Sequence, residues 1–437
     1  MKKMQVVAVL VMVLALFLPM TEGAAQSPAL PEAPRELQPL WQAGHERNKI
    51  VVISDLHLGI RDDYTETLAN RPRLVEFLQR LQKTGDVREL VIAGDFLDAW
   101  FLPVYYPAYT DERQFYQQVI ANNREVITAL NQVADKGINL VYVIGNHDMT
   151  LSAPVLQDAI PKIKQVRDAK GLGAYYTGNR KEIVIEHGHR YDVFSAPDTV
   201  TNAELCGNKD TIFPAGYFYA RYAATWVLEG RPHVAKQLPV VTRIPAQTDQ
   251  DQYGAYAYYA FLKKVSERMT PREDLAKKIF DVRIAGFNDA YTYLDFYPSQ
   301  QADGTISAPV LFRNIQRTWG QRQELNKVKV KNTFLEAVAG ATSWDYYAKQ
   351  ARTQYLANPK EKVEVVVFGH THVPVLQEQG RDAYYVNSGT WVDHNTDYPE
   401  ATRTFVVITS GPRDKVEMYS YEESGRLRDI REQVKKD

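Results

Sequence analysis

The chain has 437 residues, of which 45% are hydrophobic and 24% charged, and its formal net charge at pH 7 is -1. This composition is typical of globular proteins and argues against disorder. A nearly neutral charge gives no electrostatic support for nucleic-acid binding, which depends on a basic surface. The length accommodates one large domain or two ordinary ones.

The N-terminus predicts export. Residues 1–25 are interpreted as a signal peptide, because two lysines near the start precede an apolar run over residues 6–20 and then small residues. The run is shorter than the roughly 20 residues that a membrane span needs. A retained N-terminal anchor is the alternative, and it is the one membrane contact expected. Either way, the catalytic part is predicted to lie outside the cytoplasm. Residues 26–47 contain several prolines and are predicted to be a linker.

Short apolar runs that alternate with helical periodicity predict an α/β fold. Predicted strands cover 50–53, 90–93, 140–144, 183–185, 363–368, 384–386, 404–408 and 416–421, with helices at 71–83 and 112–135. Residues 48–195 and 361–421 are expected to form the core, and residues 422–437 a charged C-terminal tail. Residues 196–360 break the rhythm and are predicted to be a long, mainly helical insertion that acts as a lid or cap.

The insertion is rich in tyrosine. Tyr253, Tyr256 and Tyr259 follow nearly helical spacing, and further aromatic residues lie between positions 217 and 226. They form either an aromatic wall for a substrate or the packed core of the insertion. The packed core is the favoured interpretation, because buried aromatic side chains dominate core energetics. The single cysteine, Cys206, has no motif around it and is expected to be a partly buried small residue.

Five polar clusters directly follow predicted strands. They are Asp55 with His57; Asp95; Asn146 with His147 and Asp148; His187 with His189; and His370 with His372. Ligands of open α/β sheets bind beyond the carboxyl ends of the strands, so the clusters are expected to converge. Their nitrogen and oxygen atoms suit manganese, iron or zinc. Six of the nine histidines fall in these clusters, which makes an accidental arrangement the weaker interpretation.

The spacing within these clusters fits a two-metal site. Residues two apart at a strand end point the same way, so Asp55 and His57 reach one site. A lone carboxylate such as Asp95 has two oxygens with which to bridge two ions. Two ions roughly 3.5–4 Å apart clamp the attacking and leaving oxygens of a displacement at phosphorus. The residues therefore predict a metal-dependent phosphate hydrolase.

These motifs resemble the five signature blocks of the calcineurin-like metallophosphoesterases. The matching segments are Asp55-x-His57, Gly94-Asp95, Gly145-Asn146-His147-Asp148, His187-Gly188-His189 and Gly369-His370-x-His372. The resemblance implies a four-layer α/β/β/α sandwich and two divalent ions, namely Mn²⁺, Fe²⁺/Fe³⁺ or Zn²⁺. It implies that one ion is held by Asp55, His57 and His372, the other by Asn146, His187 and His370, and that Asp95 bridges them.

The resemblance also implies catalytic roles. A hydroxide that bridges the metals would attack phosphorus, and His147 would protonate the leaving oxygen or stabilise its charge. Asp98 would orient His147, with a surface or capping carboxylate as the alternative. His189 and Arg190 are candidate substrate contacts, with loop support as the alternative for both.

The sequence indicates the class of substrate less directly than it indicates the metal chemistry. The segments from Ser54 to Gly59 and from Gly369 to Pro374 resemble the bacterial UDP-2,3-diacylglucosamine pyrophosphohydrolases, although a signal peptide and a longer insertion set this chain apart. A small phosphorylated substrate (a nucleotide, sugar or lipid-linked phosphate) is expected, cleaved at a phosphodiester, phosphomonoester or pyrophosphate bond. The alternative is a non-catalytic cell-surface or periplasmic binding protein with an idle dinuclear site.

Overall fold

The computed structural model describes residues 37–272, 274–341, 343–380, 382–395, 399 and 401–436. The predicted signal peptide and the first half of the predicted linker lie outside these residues. No helix within the described ranges is long and apolar enough to cross a membrane.

Seventeen strands and ten α-helices make up the described chain. The strands are β1 (Lys49–Ile53), β2 (Val87–Ala93), β3 (Asn139–Val143), β4 (Lys164–Val166), β5 (Ala174–Thr177), β6 (Ile183–Glu186), β7 (Phe280–Val282), β8 (Asp289–Tyr291), β9 (Ser299–Gln300), β10 (Ile306–Ser307), β11 (Val365–Phe368), β12 (Val375–Glu378), β13 (Tyr384–Asn387), β14 (Thr404–Thr409), β15 (Lys415–Tyr421), β16 (Leu427–Asp429) and β17 (Lys435–Lys436). The helices are α1 (Arg71–Leu81), α2 (Glu112–Asn122), α3 (Arg124–Asp135), α4 (Ala153–Ala159), α5 (Ala215–Leu228), α6 (Gln250–Arg268), α7 (Ile315–Leu325), α8 (Phe334–Gly340), α9 (Trp344–Ala351) and α10 (Arg431–Val434).

Two large sheets pack face to face. The first has seven strands in the order β16-β15-β14-β1-β2-β3-β4, and the second has six in the order β17-β12-β13-β11-β6-β5. Strands β1 to β4 pair in parallel, while β14 joins the edge of β1 antiparallel, with Lys49 opposite Thr409. The carboxyl ends of β1, β2 and β3 therefore lie along one edge, as do those of β6 and β11 in the second sheet.

The central strands are buried on both faces because successive side chains point to opposite sides. Ile50 and Val52 of β1 pack between the sheets, whereas Val51 and Ile53 pack against the helices that cover the first sheet. The outer face of the second sheet is covered by α9 and by the π-helix Arg352–Leu356 that follows it. These layers confirm the predicted α/β/β/α arrangement.

The predicted helix over 112–135 is two helices, α2 and α3. Asn123 interrupts it, because its backbone leaves the helical region with φ -115° and ψ 27°. Its buried side-chain amide donates to the carbonyls of Gly59 and Val119, both at 2.8 Å. This asparagine ties the helix layer to the loop after β1, and apolar periodicity alone does not reveal it.

Both ends of the described chain pack more closely than predicted. In the predicted linker, Leu40 is buried and Trp41 Nε1 donates to Asp86 Oδ1 at 2.8 Å, so this part belongs to the domain. The predicted charged tail forms β16, α10 and β17. Its apolar residues Ile430 and Val434 lie in the core between the two sheets, which holds the segment in place.

The long segment between β6 and β11 contains α5 to α9, but it is not purely helical. Two short ribbons, β7 with β8 and β9 with β10, interrupt the helices. Phe218, Tyr222, Tyr258 and Phe296 are buried in one aromatic cluster, as the packed-core interpretation predicted. Tyr253 and Tyr256 are partly exposed at its margin. Cys206 is buried in the same cluster.

Buried arginines anchor this segment to the core. The guanidinium of Arg221 on α5 donates to the carbonyls of Leu102, Pro103 and Val104, which follow Asp98 in the chain. The guanidinium of Arg322 on α7 donates to Val193 O and Ala196 O at 3.0 and 2.7 Å. The insertion is therefore attached to loops that lead out of the strand ends.

A pair of carboxyl groups joins the two sheets away from these loops. Asp414, between β14 and β15, lies beside Glu182, which directly precedes β6. Burial, and then the negative charge of Glu182, raise the pKa of Asp414 from 3.8 to about 6. Between these two values the folded state binds more protons than the unfolded state. The resulting stabilisation is present at low pH and is lost as the pH rises through about 6.

We expect Asp414→Asn to raise the melting temperature at pH 7.5 and to change it little at pH 4. The asparagine keeps the bond from the Gly411 amide and removes the charge. A gain of about 1 kcal/mol corresponds to roughly 2–4 °C. Thermal unfolding at both pH values measures the effect. The control is Asp135→Asn at an exposed carboxylate paired with Lys162. The same pH dependence in both variants would contradict the assignment.

Candidate metal centre

All the predicted metal ligands lie on loops that directly follow strands. Residues 55 and 57 follow β1, residue 95 follows β2, residue 146 follows β3, residue 187 follows β6, and residues 370 and 372 follow β11. Five of them have backbones in the left-handed region, namely Asp55 (φ 54°), His57 (43°), Asp95 (48°), His370 (72°) and His372 (60°). Such conformations are costly for non-glycine residues and cluster at functional sites, where the surrounding structure holds them.

One group of side chains consists of Asp55, His57 and His372. The Nε2 atoms of His57 and His372 are 3.0 Å apart, and His372 Nε2 is 3.3 Å from Asp55 Oδ1. Asp55 and His57 are buried, whereas His372 keeps 22% of its side chain exposed. The three ligand atoms lie within 4.8 Å of one another, which suits a single ion. The structure thus brings together the residues predicted to hold the first metal.

A second group consists of Asp95, His187 and His370. His187 Nε2 lies 3.1 Å from Asp95 Oδ2 and 3.0 Å from Asn146 Oδ1. All three members are buried, and their ligand atoms again lie within 4.8 Å of one another. Asn146 adjoins this group through its contact with His187, as predicted for the second metal.

Asp95 connects the two groups. Its Oδ2 atom lies 3.1 Å from His187 Nε2 and 3.6 Å from His57 Nε2. Its other oxygen, Oδ1, accepts a hydrogen bond from the His147 amide at 2.8 Å. One carboxylate therefore faces both groups, which is the arrangement expected of a bridging ligand.

The histidine rings are held so that one nitrogen of each is left for a metal. His187 Nδ1 contacts Ala93 O at 2.8 Å, and His57 Nδ1 contacts Asp98 Oδ2 at 2.8 Å, which leaves Nε2 of each ring toward the site. The His370 ring is anchored through its other nitrogen, because its Nε2 contacts Asp192 Oδ2 at 3.1 Å. Its Nδ1 atom is buried and has no hydrogen-bond partner among the described residues. Anchoring one ring nitrogen is the usual support for a metal-bound histidine.

The site contains buried carboxylates, Asp55 and Asp95 among them, whose charges act on the neighbouring histidines. Burial alone would raise the pKa of Asp55, but the charge of His187 and hydrogen bonds from His372 and His57 lower it far below its usual range. Burial likewise opposes ionisation of His187, yet Asp95 and Asp55 raise the pKa of this ring to about 9. Buried carboxylates in such a cluster need compensating positive charge. With the unpartnered His370 nitrogen, this charge balance fits two divalent cations.

His147 lies beside the first group and is held on two sides. Its Nδ1 contacts Asp98 Oδ2 at 2.8 Å, and its ring stacks on Trp100 with centroids 4.8 Å apart. The other oxygen of Asp98 accepts the amides of Trp100 and Phe101 at 2.7 and 2.8 Å. Burial lowers the pKa of His147, but the charges of Asp98 and Asp95 outweigh it and raise this pKa above its ordinary value.

Asp98 contacts His57 in addition to His147, the one histidine it was predicted to orient. Its Oδ2 atom contacts the Nδ1 atoms of both His147 and His57, each at 2.8 Å. The same carboxylate therefore fixes a predicted metal ligand and the predicted proton donor.

The two candidate substrate contacts, Arg190 and His189, are buried and bonded within the protein. The guanidinium of Arg190 is buried and engaged by Glu186, Asp168 and the carbonyl of Asn326, so we assign it to the support of the loop. His189 is also buried, and its Nε2 contacts Gly171 O at 2.9 Å. Burial, with the charges of His187 and His370, lowers its pKa well below the ordinary value, and its ring packs beside the rings of these two histidines.

Further residues support the ligands, and two of them, Glu66 and Asn395, are not predicted from the sequence. Glu66 Oε2 lies 3.3 Å from His57 Nδ1, and Asn395 Nδ2 donates to His372 O at 2.6 Å. Asp148 accepts the amides of Gly145 and Phe96 at 2.7 and 2.8 Å and so shapes the loop that carries Asn146. Asp148 belongs to a predicted cluster, and Asp192 lies three residues after another, so the sequence points to both positions. No sequence motif points to Glu66 or Asn395.

Glycine is required at position 94 by close packing. Its φ is +88°, and a β-carbon there would lie 2.4 Å from Cγ and Nδ1 of His187. We expect Gly94→Ala to displace His187 and to lower the bound metal from two ions per chain to one or fewer, as measured by elemental analysis. Gly207→Ala is the control, because Gly207 has φ +67° and open space around it. Full metal content in both variants would contradict the assignment of His187.

Part of the chain matches the model of a known protein family. Residues 48–229 match the family model described as calcineurin-like phosphoesterase. No curated protein matches the chain. Among solved structures, a dimetal phosphatase from Danio rerio is similar at 11% identity, with 85% of this chain and 95% of that chain covered and a TM-score of 0.33. A phosphopantetheinyl hydrolase from Mycobacterium tuberculosis aligns at 13% identity over 79% of this chain and 91% of its own, with a TM-score of 0.25.

The family match covers four of the five polar clusters, and the structure places the fifth, on the loop after β11, against them. As predicted, residues 48–229 of the chain are a calcineurin-like phosphoesterase domain, and the protein is a dinuclear metal-dependent hydrolase of phosphate esters.

Proposed function

We propose that this hydrolase acts outside the cytoplasm on a small phosphorylated compound, at a phosphodiester, phosphomonoester or pyrophosphate bond. The observation that carries the proposal is the pair of three-residue groups that share the Asp95 carboxylate. None of the predicted ligands is absent or turned away, so the idle-site alternative gains no support. The proposed location outside the cytoplasm is supported by the two lysines and the apolar run at the N-terminus.

The first ion would be held by Asp55, His57 and His372, the second by His187, His370 and Asn146, with Asp95 between them. Bound divalent cations supply positive charge for the phosphoryl oxygens and make water a stronger nucleophile near neutral pH. The mixed imidazole and carboxylate ligands suit Mn²⁺, Fe²⁺/Fe³⁺ or Zn²⁺.

The protein's own contribution to bond cleavage is centred on His147. Asp98 fixes Nδ1 of the ring, and stacking on Trp100 fixes its plane, so Nε2 is the atom left to donate a proton to the leaving oxygen. Such a donor must be held within hydrogen-bond reach of the leaving group. The side chain retains 13% exposure, so a substrate atom reaches it from solvent.

The activity is tested by hydrolysis of a bis-aryl phosphate and a mono-aryl phosphate by chelator-treated protein, with and without added Mn²⁺. We expect activity on at least one ester to disappear with the metal and to return with it. The preferred ester distinguishes diesterase from monoesterase. Protein that binds two ions per chain and hydrolyses neither these esters nor a diphosphate diester would contradict the proposed function.

We expect His147→Ala to lower kcat by about 10²–10⁴-fold, the usual contribution of a general acid, while both ions stay bound. Metal content and steady-state kinetics measured on the same sample separate the two effects. Asp95→Ala is the contrasting variant, and it should lose metal as well as activity. A His147→Ala enzyme with unchanged kcat would refute the assignment.

A further inference from the structure

A tryptophan links the proposed proton donor to the insertion. Trp100 is 1% exposed, and its indole stacks on the His147 ring with centroids 4.8 Å apart and an interplanar angle of 29°. Tyr217, in the first turn of α5, meets the same indole edge-on, with centroids 6.1 Å apart and an angle of 84°. The neighbouring Gly216 lies so close that a β-carbon there would be 3.2 Å from Cζ3 of Trp100. One side chain therefore contacts both the catalytic core and α5.

The segment that carries Trp100 is also tied to both sides. The Trp100 amide donates to Asp98 Oδ1 at 2.7 Å, and the other oxygen of this carboxylate anchors His147. Four residues further along the chain, the Val104 amide donates to Thr225 Oγ1 of α5 at 2.8 Å. The segment therefore runs from the anchor of the proton donor to the insertion, with a hydrogen bond at each end.

The start of α5 is itself held in place. The Tyr217 ring stacks on Phe213 with centroids 3.9 Å apart and an interplanar angle of 4°, and its hydroxyl accepts from Arg221 Nη1 at 3.4 Å. The Gly216 amide donates to Phe194 O at 2.7 Å, and a β-carbon at position 216 would lie 2.6 Å from that oxygen. Close-packed contacts of this kind leave a side chain few alternative positions. The surface that α5 presents to Trp100 is therefore fixed.

The orientation of the Trp100 ring is set by packing. Its Nε1 atom is buried and makes no hydrogen bond within the described part of the chain, so the indole has no polar anchor there. The His147 ring is bonded through Nδ1 to Asp98. One hydrogen bond fixes a point of the ring, and the stacked indole supplies the plane. The direction of His147 Nε2 therefore depends on the groups that hold Trp100.

We propose that Trp100 and Tyr217 are positioning residues through which α5 aims Nε2 of His147 at the leaving oxygen, so that the insertion takes part in bond cleavage. This inference rests on the proposed function. In that step the oxygen of water bonds to phosphorus. The leaving oxygen departs with the electron pair of its bond and takes the proton from His147, and a proton released by the attacking water restores the ring. The contribution of α5 is therefore largest for leaving groups that need a proton.

The test compares the phenyl and 4-nitrophenyl esters of the same phosphate. Phenolate, whose pKa is about 10 as in tyrosine, needs a proton to leave far more than 4-nitrophenolate does. We expect Trp100→Leu to lower kcat on the phenyl ester by about 10–100-fold, within the range of a general-acid contribution, while both ions stay bound. The loss on the 4-nitrophenyl ester should be about tenfold smaller. Trp100→Phe, which keeps an aromatic plane, should recover most of the loss.

Variants of α5 and of His147 separate positioning from a general loss of stability. Tyr217→Leu should lower kcat on the phenyl ester selectively, by about 3–10-fold. Tyr222→Leu is the matched control, because Tyr222 is an equally buried tyrosine of α5 that stacks on Tyr293 at 4.1 Å, and it should leave the ratio of the two rates unchanged. In a His147→Ala background, Trp100→Leu should cause no further loss on the phenyl ester, because residues that act through one another are not additive.

NMR of the Zn²⁺-loaded protein with isotope-labelled histidine provides a readout that does not depend on turnover. The signals of the His147 ring are identified by their absence from His147→Ala. We expect Tyr217→Leu to shift or broaden them and Tyr222→Leu to leave them in place. Unchanged signals in Tyr217→Leu, or equal losses on both esters in Trp100→Leu, would overturn the role of α5. If the wild-type enzyme cleaves neither ester, the proposed function fails, and the NMR signals still decide whether α5 positions His147.

Discussion

The site depends on Asp95 more than on any other residue. Its backbone carbonyl accepts the amides of Leu56 and His57 at 2.8 and 2.9 Å, which fixes the loop after β1. Its side chain accepts the amide of His147 and contacts the rings of His187 and His57. One residue thus joins loops from both sheets. The left-handed backbone that these contacts require is tolerated because so many groups hold it in place.

Much of the site was predictable because its information is local. Two ligands separated by one residue at the end of an apolar strand, as in Asp55 with His57, reveal both their chemistry and their place at the sheet edge. Glu66 was not predictable in this way, because it lies in an irregular loop and reaches His57 through the tertiary fold. The break at Asn123 and the burial of Val434 have the same origin, since long-range contacts outweigh local periodicity there.

The insertion shows why an aromatic pattern is weak evidence for a ligand site. Its rings, among them Phe218 and Phe296 at 4.9 Å, pack on one another and form a separate hydrophobic cluster. The polar residues at its margins are more informative. Arg221 is satisfied by carbonyls of the loop after Asp98 and holds the segment against the site.

The pairing of distant segments has a consequence for how the centre is assembled. The central strand β1 pairs with β14, so that Lys49 lies opposite Thr409. The ligands of the first group are likewise distant in the chain, at residues 55, 57 and 372. No fragment that ends before β11 contains either complete group, and such long-range pairing slows folding. A complete set of ligands for either ion therefore exists only once the chain extends past β11. A chain that is exported unfolded would take its metals from the compartment it reaches.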